Sequence, residues 1–236
     1  MIYFKQYGVQ RSGTNYLKRL MELNFKDTTV FGSVLGWKHG MYETANSYAE
    51  KFQSRSHDNW IDKKTKDGKV YSVDNHVLRY TPEELRKACR NLNYLISIKD
   101  PHAYIMSYKK FRARKQPWDP KKVKAWLDNY FTCYLRWSNI VRAYPKRCTV
   151  VKYEELLENK AEVLAKIRDK FGLTQKHEEF INEAKVVRAS TDHGLMIDRK
   201  NSFDSNYYLN KKYLEEMPES VVNLVTRLSE GAKVLI

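Results

Sequence analysis

The 236-residue chain is short of several things, and each shortage narrows what it can be. Cysteine is scarce and unpaired: Cys89, Cys133 and Cys148 are an odd number without C-x-x-C spacing, which suggests a reducing compartment. The opening MIYFKQYG has no charged-then-apolar leader, so a cytoplasmic protein is expected. No run approaches the roughly 20 apolar residues of a membrane span, so a soluble chain with no membrane partner is expected. No glycine-, proline- or serine-rich linker, internal repeat or low-complexity tract divides the chain, and one domain over residues 1–236 follows.

Acidic residues are also few. Lys and Arg outnumber Asp and Glu by 43 to 28, giving a net charge of +15 that draws the protein towards anionic ligands or surfaces without naming them. Aromatics are abundant, with 17 Tyr and 5 Trp, so a real core can form despite the charge.

The pattern alternates strand and helix. Met1 to Tyr7 is a β-prone run feeding a turn at Gly8, after which Leu17, Leu20, Met21 and Leu23 recur at helical spacing. Thr29 to Trp37 reads as a further strand, 42–67 as helix and loop, and Val70 to Val73 and Tyr94 to Ile98 as buried parallel strands joined by a helix over Pro82 to Asn91. Asp119 caps a helix carrying Val123, Trp126, Tyr130, Tyr134, Trp137 and Val141 as a core stripe. Cys148 to Lys152 is a strand, Glu155 to Phe171 a helix stopped by Gly172, and Glu178 to Ala184 a short helix. The tail from Tyr208 to Leu228 is helical with a break near Pro218. This order predicts an α/β fold with a central, mostly parallel β-sheet flanked by helices, and a ligand site at the carboxyl ends of its strands.

The first chemical signal is YGVQRSGTNYL, Tyr7 to Leu17. Gly8 and Gly13 enclose four residues, as in the opening of a nucleotide-hydrolysing P-loop, but Thr14 and Asn15 stand where that loop needs Lys and Ser/Thr. Backbone N–H groups of Ser12, Gly13, Thr14 and Asn15 at a helix N-terminus can still hold one anion, with Arg11 as fixed charge. The second signal is LISIKDPHAYIMSYKKF, in which a buried strand ends in Lys99 and Ser107 follows about two helical turns on.

In this order the two stretches resemble the sulfotransferases that use 3′-phosphoadenosine-5′-phosphosulfate (PAPS). Arg11-Ser12-Gly13-Thr14 is similar to that family's 5′-phosphosulfate loop, with Asn15 beside it. Lys99 and Ser107 match the Arg and Ser that hold the 3′-phosphate, lysine keeping the charge but losing the bidentate fork. VVKYEELLENK would place Tyr153 near the adenine, where Tyr16 matches a stacking aromatic. Arg199-Lys200 resembles the C-terminal Arg-Lys-Gly segment over the 3′-phosphate, with Asn201 replacing the glycine. The resemblance implies PAPS as donor, PAP (adenosine 3′,5′-bisphosphate) as product, no required metal, and a small-molecule or glycan acceptor.

Sulfuryl transfer accounts for the missing lysine: there is no β,γ-phosphate pair to grip, and one anion cradle plus a cation near the bridging oxygen suffices. A base must take the acceptor's proton, and two histidines compete. His39, in GWKHG, has Lys38 beside it as a second cation and Gly36 and Gly40 around it. His76, in SVDNHVLRY, precedes Lys99 at nearly the spacing of the base in the small-molecule branch. His39 is preferred, with His76 the alternative.

Two other readings stand beside this one. A P-loop kinase or NTPase would use Asp100 as its magnesium-side aspartate, against which weigh the absent lysine and Pro101 directly after it. A non-catalytic nucleic-acid-binding module would use the interleaved charges and aromatics of YKKFRARKQPW, which serve equally as the wall of an anionic acceptor site.

Overall fold

The computed structural model describes residues 1–39, 55–72, 75–181, 186–187, 198–199 and 204–231. Its centre is a four-stranded parallel sheet built from β1 (Ile2–Gly8), β2 (Thr28–Phe31), β5 (Leu92–Ile98) and β6 (Cys148–Lys152), in the order β2-β1-β5-β6. Between β2 and β5 a small antiparallel hairpin, β3 (Thr65–Lys66) with β4 (Lys69–Val70), stands outside the sheet.

Helices cover both faces. On one, Phe4 and Val30 pack against Leu17, Leu20 and Met21 of α1 (Thr14–Asn24), and against Leu156 of α6 (Tyr153–Glu158) and Leu164 and Ile167 of α7 (Lys160–Phe171). The other face receives α3 (Pro82–Arg90), α4 (Pro101–Arg112), α5 (Pro120–Ala143) and α9 (Glu219–Glu230), while α2 (Arg55–Lys64) packs on α3. The α5 stripe is core: Val123, Tyr130, Tyr134 and Trp137 are buried. Two of its tyrosines also hold the end of β5, Tyr134 donating to the Ser97 carbonyl at 2.8 Å and Tyr130 to that of Lys99 at 2.6 Å.

Local chemistry explains the boundaries. Thr81 and Glu84 form a reciprocal capping box ahead of Pro82, and Asp100 and Asp119 cap α4 and α5, each with proline next. Gly172 ends α7 at φ 61°.

Four expectations are corrected. β2 stops at Phe31, short of Trp37, because the chain turns through Leu35 at φ 59° and Gly36 at φ 92°. Val70 ends the hairpin and is no parallel strand of the sheet; its carbonyl is taken by Leu78 and its partner strand is β3. The helix foreseen from Glu155 to Phe171 begins at Tyr153 and is two helices, parted at Asn159, whose φ of −133° leaves the helical region and whose side chain bonds Glu162. Residues 178–181 are irregular, with bends at 178 and 179, not helix, and Asn24 Oδ1 accepts the Ile181 N–H at 2.6 Å; 182–184 lie outside the described residues.

The connection after β2 carries the chain across β1 to β5, so the strand order reverses between β1 and β5. Open α/β sheets bind ligands outside the carboxyl ends at such a switch point. Gly8 and Lys99 stand at those two ends.

Candidate active site

The loop after β1 is drawn tight. Gly8 is in register with Ser97, and a Cβ on Gly8 would lie 2.9 Å from the Ser97 carbonyl oxygen, so only glycine lets the strands stay this close beneath the loop. Arg11 adopts φ 70°, a left-handed conformation uncommon outside glycine, and Gly13 follows at φ 79° before α1 begins at Thr14. The Arg11 side chain is exposed, its guanidinium 5.5 Å from the centre of the Phe111 ring. The first-turn N–H groups of α1 and its dipole face this loop, a place suited to an anion.

Ser12 departs from the expectation. Its N–H and its hydroxyl both donate to the Val9 carbonyl, at 3.2 and 2.7 Å, so Ser12 braces the loop from within. Asn15 turns its side-chain oxygen to the ammonium of Lys38, which is buried. Tyr16 is half-buried on the same turn, and burial pushes its phenol up to about 12.

Lys38 and His39 reach the loop because the chain between β2 and His39 is pinned. The wholly buried ammonium of Lys5 donates to the carbonyls of Gly32, Val34 and Gly36 at 2.5, 2.9 and 2.7 Å. These three bonds hold the left-handed Leu35-Gly36 turn in place. The Lys38 carbonyl then accepts the Gly8 N–H at 3.1 Å, and His39 Nδ1 lies 2.6 Å from the Gly8 carbonyl oxygen. A carbonyl only accepts, so Nδ1 carries the proton and Nε2 is left as the basic nitrogen. Burial first, and the Lys38 charge second, lower His39 to about 3. His76 sits elsewhere, exposed on the turn after β4, where its backbone closes on Ser72.

The second subsite surrounds Lys99, which is buried at the end of β5. Its ammonium donates to Ser107 Oγ at 2.8 Å and reaches the Arg11 carbonyl at 3.3 Å, tying the two sequence stretches together. Tyr153 and Tyr208 face it with ring centres 4.4 and 3.9 Å from Nζ, and the Tyr208 hydroxyl lies 3.0 Å from Ser107 Oγ. Burial pushes the Lys99 ammonium well below the usual lysine value; nearby Glu154 opposes that shift and Arg11 adds to it. An anion placed here would restore the charge that burial disfavours. Tyr153 also explains Gly13: a Cβ on Gly13 would lie 2.3 Å from Cδ2 of its ring.

Asp100 is a helix cap, accepting the Ala103 N–H at 3.0 Å and the Tyr213 hydroxyl at 3.3 Å. The backbone of Arg199 pairs with Val186 in a short antiparallel ladder, β7 (Val186–Val187) with β8 (Asp198–Arg199); its side chain and Lys200 lie outside the described residues. Along α4, Met106, Lys109, Lys110, Arg114, Trp118 and Glu216 line a cleft of about 510 Å³.

The structure thus brings the glycine loop, the turn that carries Lys38 and His39, and the buried Lys99 together at one switch point. The sequence model of the sulfotransferase family matches residues 37–178, more than half of the chain. The chain belongs to the sulfotransferase family. The matched stretch of this sulfotransferase includes Lys38, His39, Lys99, Ser107 and Tyr153, and begins after the glycine loop. Solved structures similar to the chain include the sulfotransferase domain from the curacin biosynthetic pathway, at 15% identity and TM-score 0.41, covering 98% of this chain and 96% of that one. Another is the sulfotransferase domain from the Synechococcus PCC 7002 olefin synthase, at 14% identity and TM-score 0.39, covering 97% and 94%. No curated protein matches the chain. No helix among the described residues is long and apolar enough to cross a membrane.

Sequence reasoning passed over two residues that the structure brings to this candidate site. Tyr208 belongs to NYYL on α8 (Asn206–Leu209), a few residues after Arg199-Lys200, and two adjacent tyrosines there were its signal. Lys5 had a plainer one, a lysine between Phe4 and Gln6 within a β-prone run.

Proposed function

We propose that the protein transfers a sulfuryl group from PAPS to the hydroxyl, or amine, of a small-molecule or glycan acceptor. The observation that carries this reading is the Lys99–Ser107 pair, bonded at 2.8 Å and linked through the Arg11 carbonyl to the glycine loop. It supports a second anion subsite beside the loop, which a nucleotide phosphorylated at both 3′ and 5′ positions requires and a triphosphate does not. A buried, desolvated ammonium with a hydroxyl partner suits a phosphate monoester. When bound, PAPS supplies an activated sulfuryl group on a phosphate leaving group.

The chain's own residues would then act as follows. Arg11 and the N–H groups of Gly13, Thr14 and Asn15 cradle the 5′ group, with Ser12 bracing their loop from within; Lys99, Ser107, Arg199 and Lys200 hold the 3′-phosphate, with Tyr16 and Tyr153 beside the adenine. His39 Nε2 takes the proton of the attacking hydroxyl, while its Nδ1–H stays on the Gly8 carbonyl and fixes the tautomer. Arg11 and Lys38 place positive charge where the departing phosphate gains negative charge. An anion beside Lys38 also cancels part of what depresses His39, so the base strengthens when the donor arrives. The net charge of +15 supports an acidic or sugar acceptor.

Calorimetry with adenosine 3′,5′-bisphosphate against ATP tests the reading: the bisphosphate binds more tightly, and a preference for ATP overturns it. Arg11→Ala and His39→Ala each abolish turnover, the latter with nucleotide binding nearly intact. If His39→Ala stays active and His76→Ala does not, the base is His76.

A further inference from the structure

Arg11 carries the charge of the glycine loop, yet among the described residues its guanidinium makes no hydrogen bond or ion pair. Its side chain is exposed, and what it meets is the ring of Phe111, whose centre lies 5.5 Å away. Phe111 stands four residues after Ser107, so one face of α4 presents Ser107 to Lys99 and, a turn later, Phe111 to Arg11. The same ring lies 4.9 Å from the guanidinium of Arg112, whose Nη2 reaches Gln10 Oε1 in the loop at 3.5 Å. The end of α4 and the glycine loop meet through this cluster. Phe111 is 51% exposed and belongs to neither hydrophobic core cluster, so the fold does not depend on its ring.

An aromatic face attracts a guanidinium within about 6 Å through the ring's quadrupole. It offers no lone-pair acceptor, so the N–H donors of Arg11 stay available to an anion. Arginine is rotamer-rich, and ordering such a side chain on binding costs affinity. A ring that already holds it removes part of that cost. We propose that Phe111 is a positioning residue: its ring keeps the Arg11 guanidinium beside the glycine loop and so strengthens the hold on the nucleotide's 5′ group. This rests on the nucleotide reading above and adds to it a residue that acts through Arg11.

The test is calorimetry on the full chain with adenosine 3′,5′-bisphosphate and with adenosine 3′-phosphate, which lacks the 5′ group, for wild type, Phe111→Leu and Phe111→Tyr. Phe111→Leu should lower bisphosphate affinity about two- to five-fold, the scale of an exposed cation–π contact, with 3′-phosphate affinity and the urea midpoint unchanged. Phe111→Tyr keeps an aromatic face and should keep the wild-type ratio. Adding Phe111→Leu to Arg11→Ala should lower bisphosphate affinity no further. An unchanged ratio in Phe111→Leu, an equal loss in Phe111→Tyr, or an equal fall with both ligands overturns the inference while leaving the nucleotide reading in place. So does the same fall in the Arg11→Ala background, which would mean the ring acts without Arg11. A wild type that prefers ATP to the bisphosphate overturns both.

Discussion

Gly13→Ala isolates the contact on which the site's geometry depends. The new Cβ would lie 2.3 Å from Cδ2 and 2.6 Å from Cε2 of Tyr153, whereas carbons pack at about 3.5–4.0 Å. Loop and ring must therefore separate by more than about 1 Å. The ring has little room to yield, being buried and boxed by Lys99 on one side and Tyr208 on the other. Overpacking of this kind costs about 1–3 kcal/mol. Holding alanine at φ 79° adds about 1–2 kcal/mol, so the total is about 2–5 kcal/mol. Urea unfolding of wild type, Gly13→Ala, Tyr153→Ala and the double variant separates the two contributions. In the Tyr153→Ala background the cost of Gly13→Ala should shrink to the backbone part, about 1–2 kcal/mol. If the cost is the same in both backgrounds, the ring contact is not what requires glycine, and the reasoning fails.

Three further outcomes follow from the same geometry. Lys5→Met leaves three carbonyls of the 32–36 turn without their donor, costing about 3 kcal/mol or more, and turnover falls with it because the turn carries Lys38 and His39; an unchanged midpoint in urea would remove Lys5 from this role. His57 is wholly buried and held at about 3, so between pH 6.5 and 3 the unfolded chain binds a proton there that the folded chain refuses. Stability is therefore lost as the pH is lowered through that window, by up to about 1.4 kcal/mol per unit from this group, and His57→Leu should flatten the pH dependence of the melting temperature. Adenosine 3′,5′-bisphosphate should raise the His39 pKa above the value of about 3 in the free protein, read from ring-proton shifts in an NMR titration; no rise would mean the anion does not settle beside Lys38.

The sequence by itself determined what is local. Caps, prolines and glycines placed α3, α4, α5 and the end of α7, because a cap's hydrogen bonds lie within a few residues of it. The glycine loop, the strand-ending Lys99 and Ser107 two turns on were legible for the same reason, and they sufficed to suggest the family. What was decided only in three dimensions needed distant partners. Val70 is as apolar as a core strand, but apolarity does not say which edge it pairs with, and it pairs with Thr65 in a hairpin. Between His39 and His76 the pattern gave only a preference for His39; in the folded chain His39 bonds Gly8, the first residue of the glycine loop, and His76 turns back on Ser72. Lys5 and Tyr208 stand on the site only because β1 lies beside the turn after β2 and the C-terminal segment folds back over α4. Contacts separated by 101 residues, as between Ser107 and Tyr208, leave no periodic trace in a single sequence.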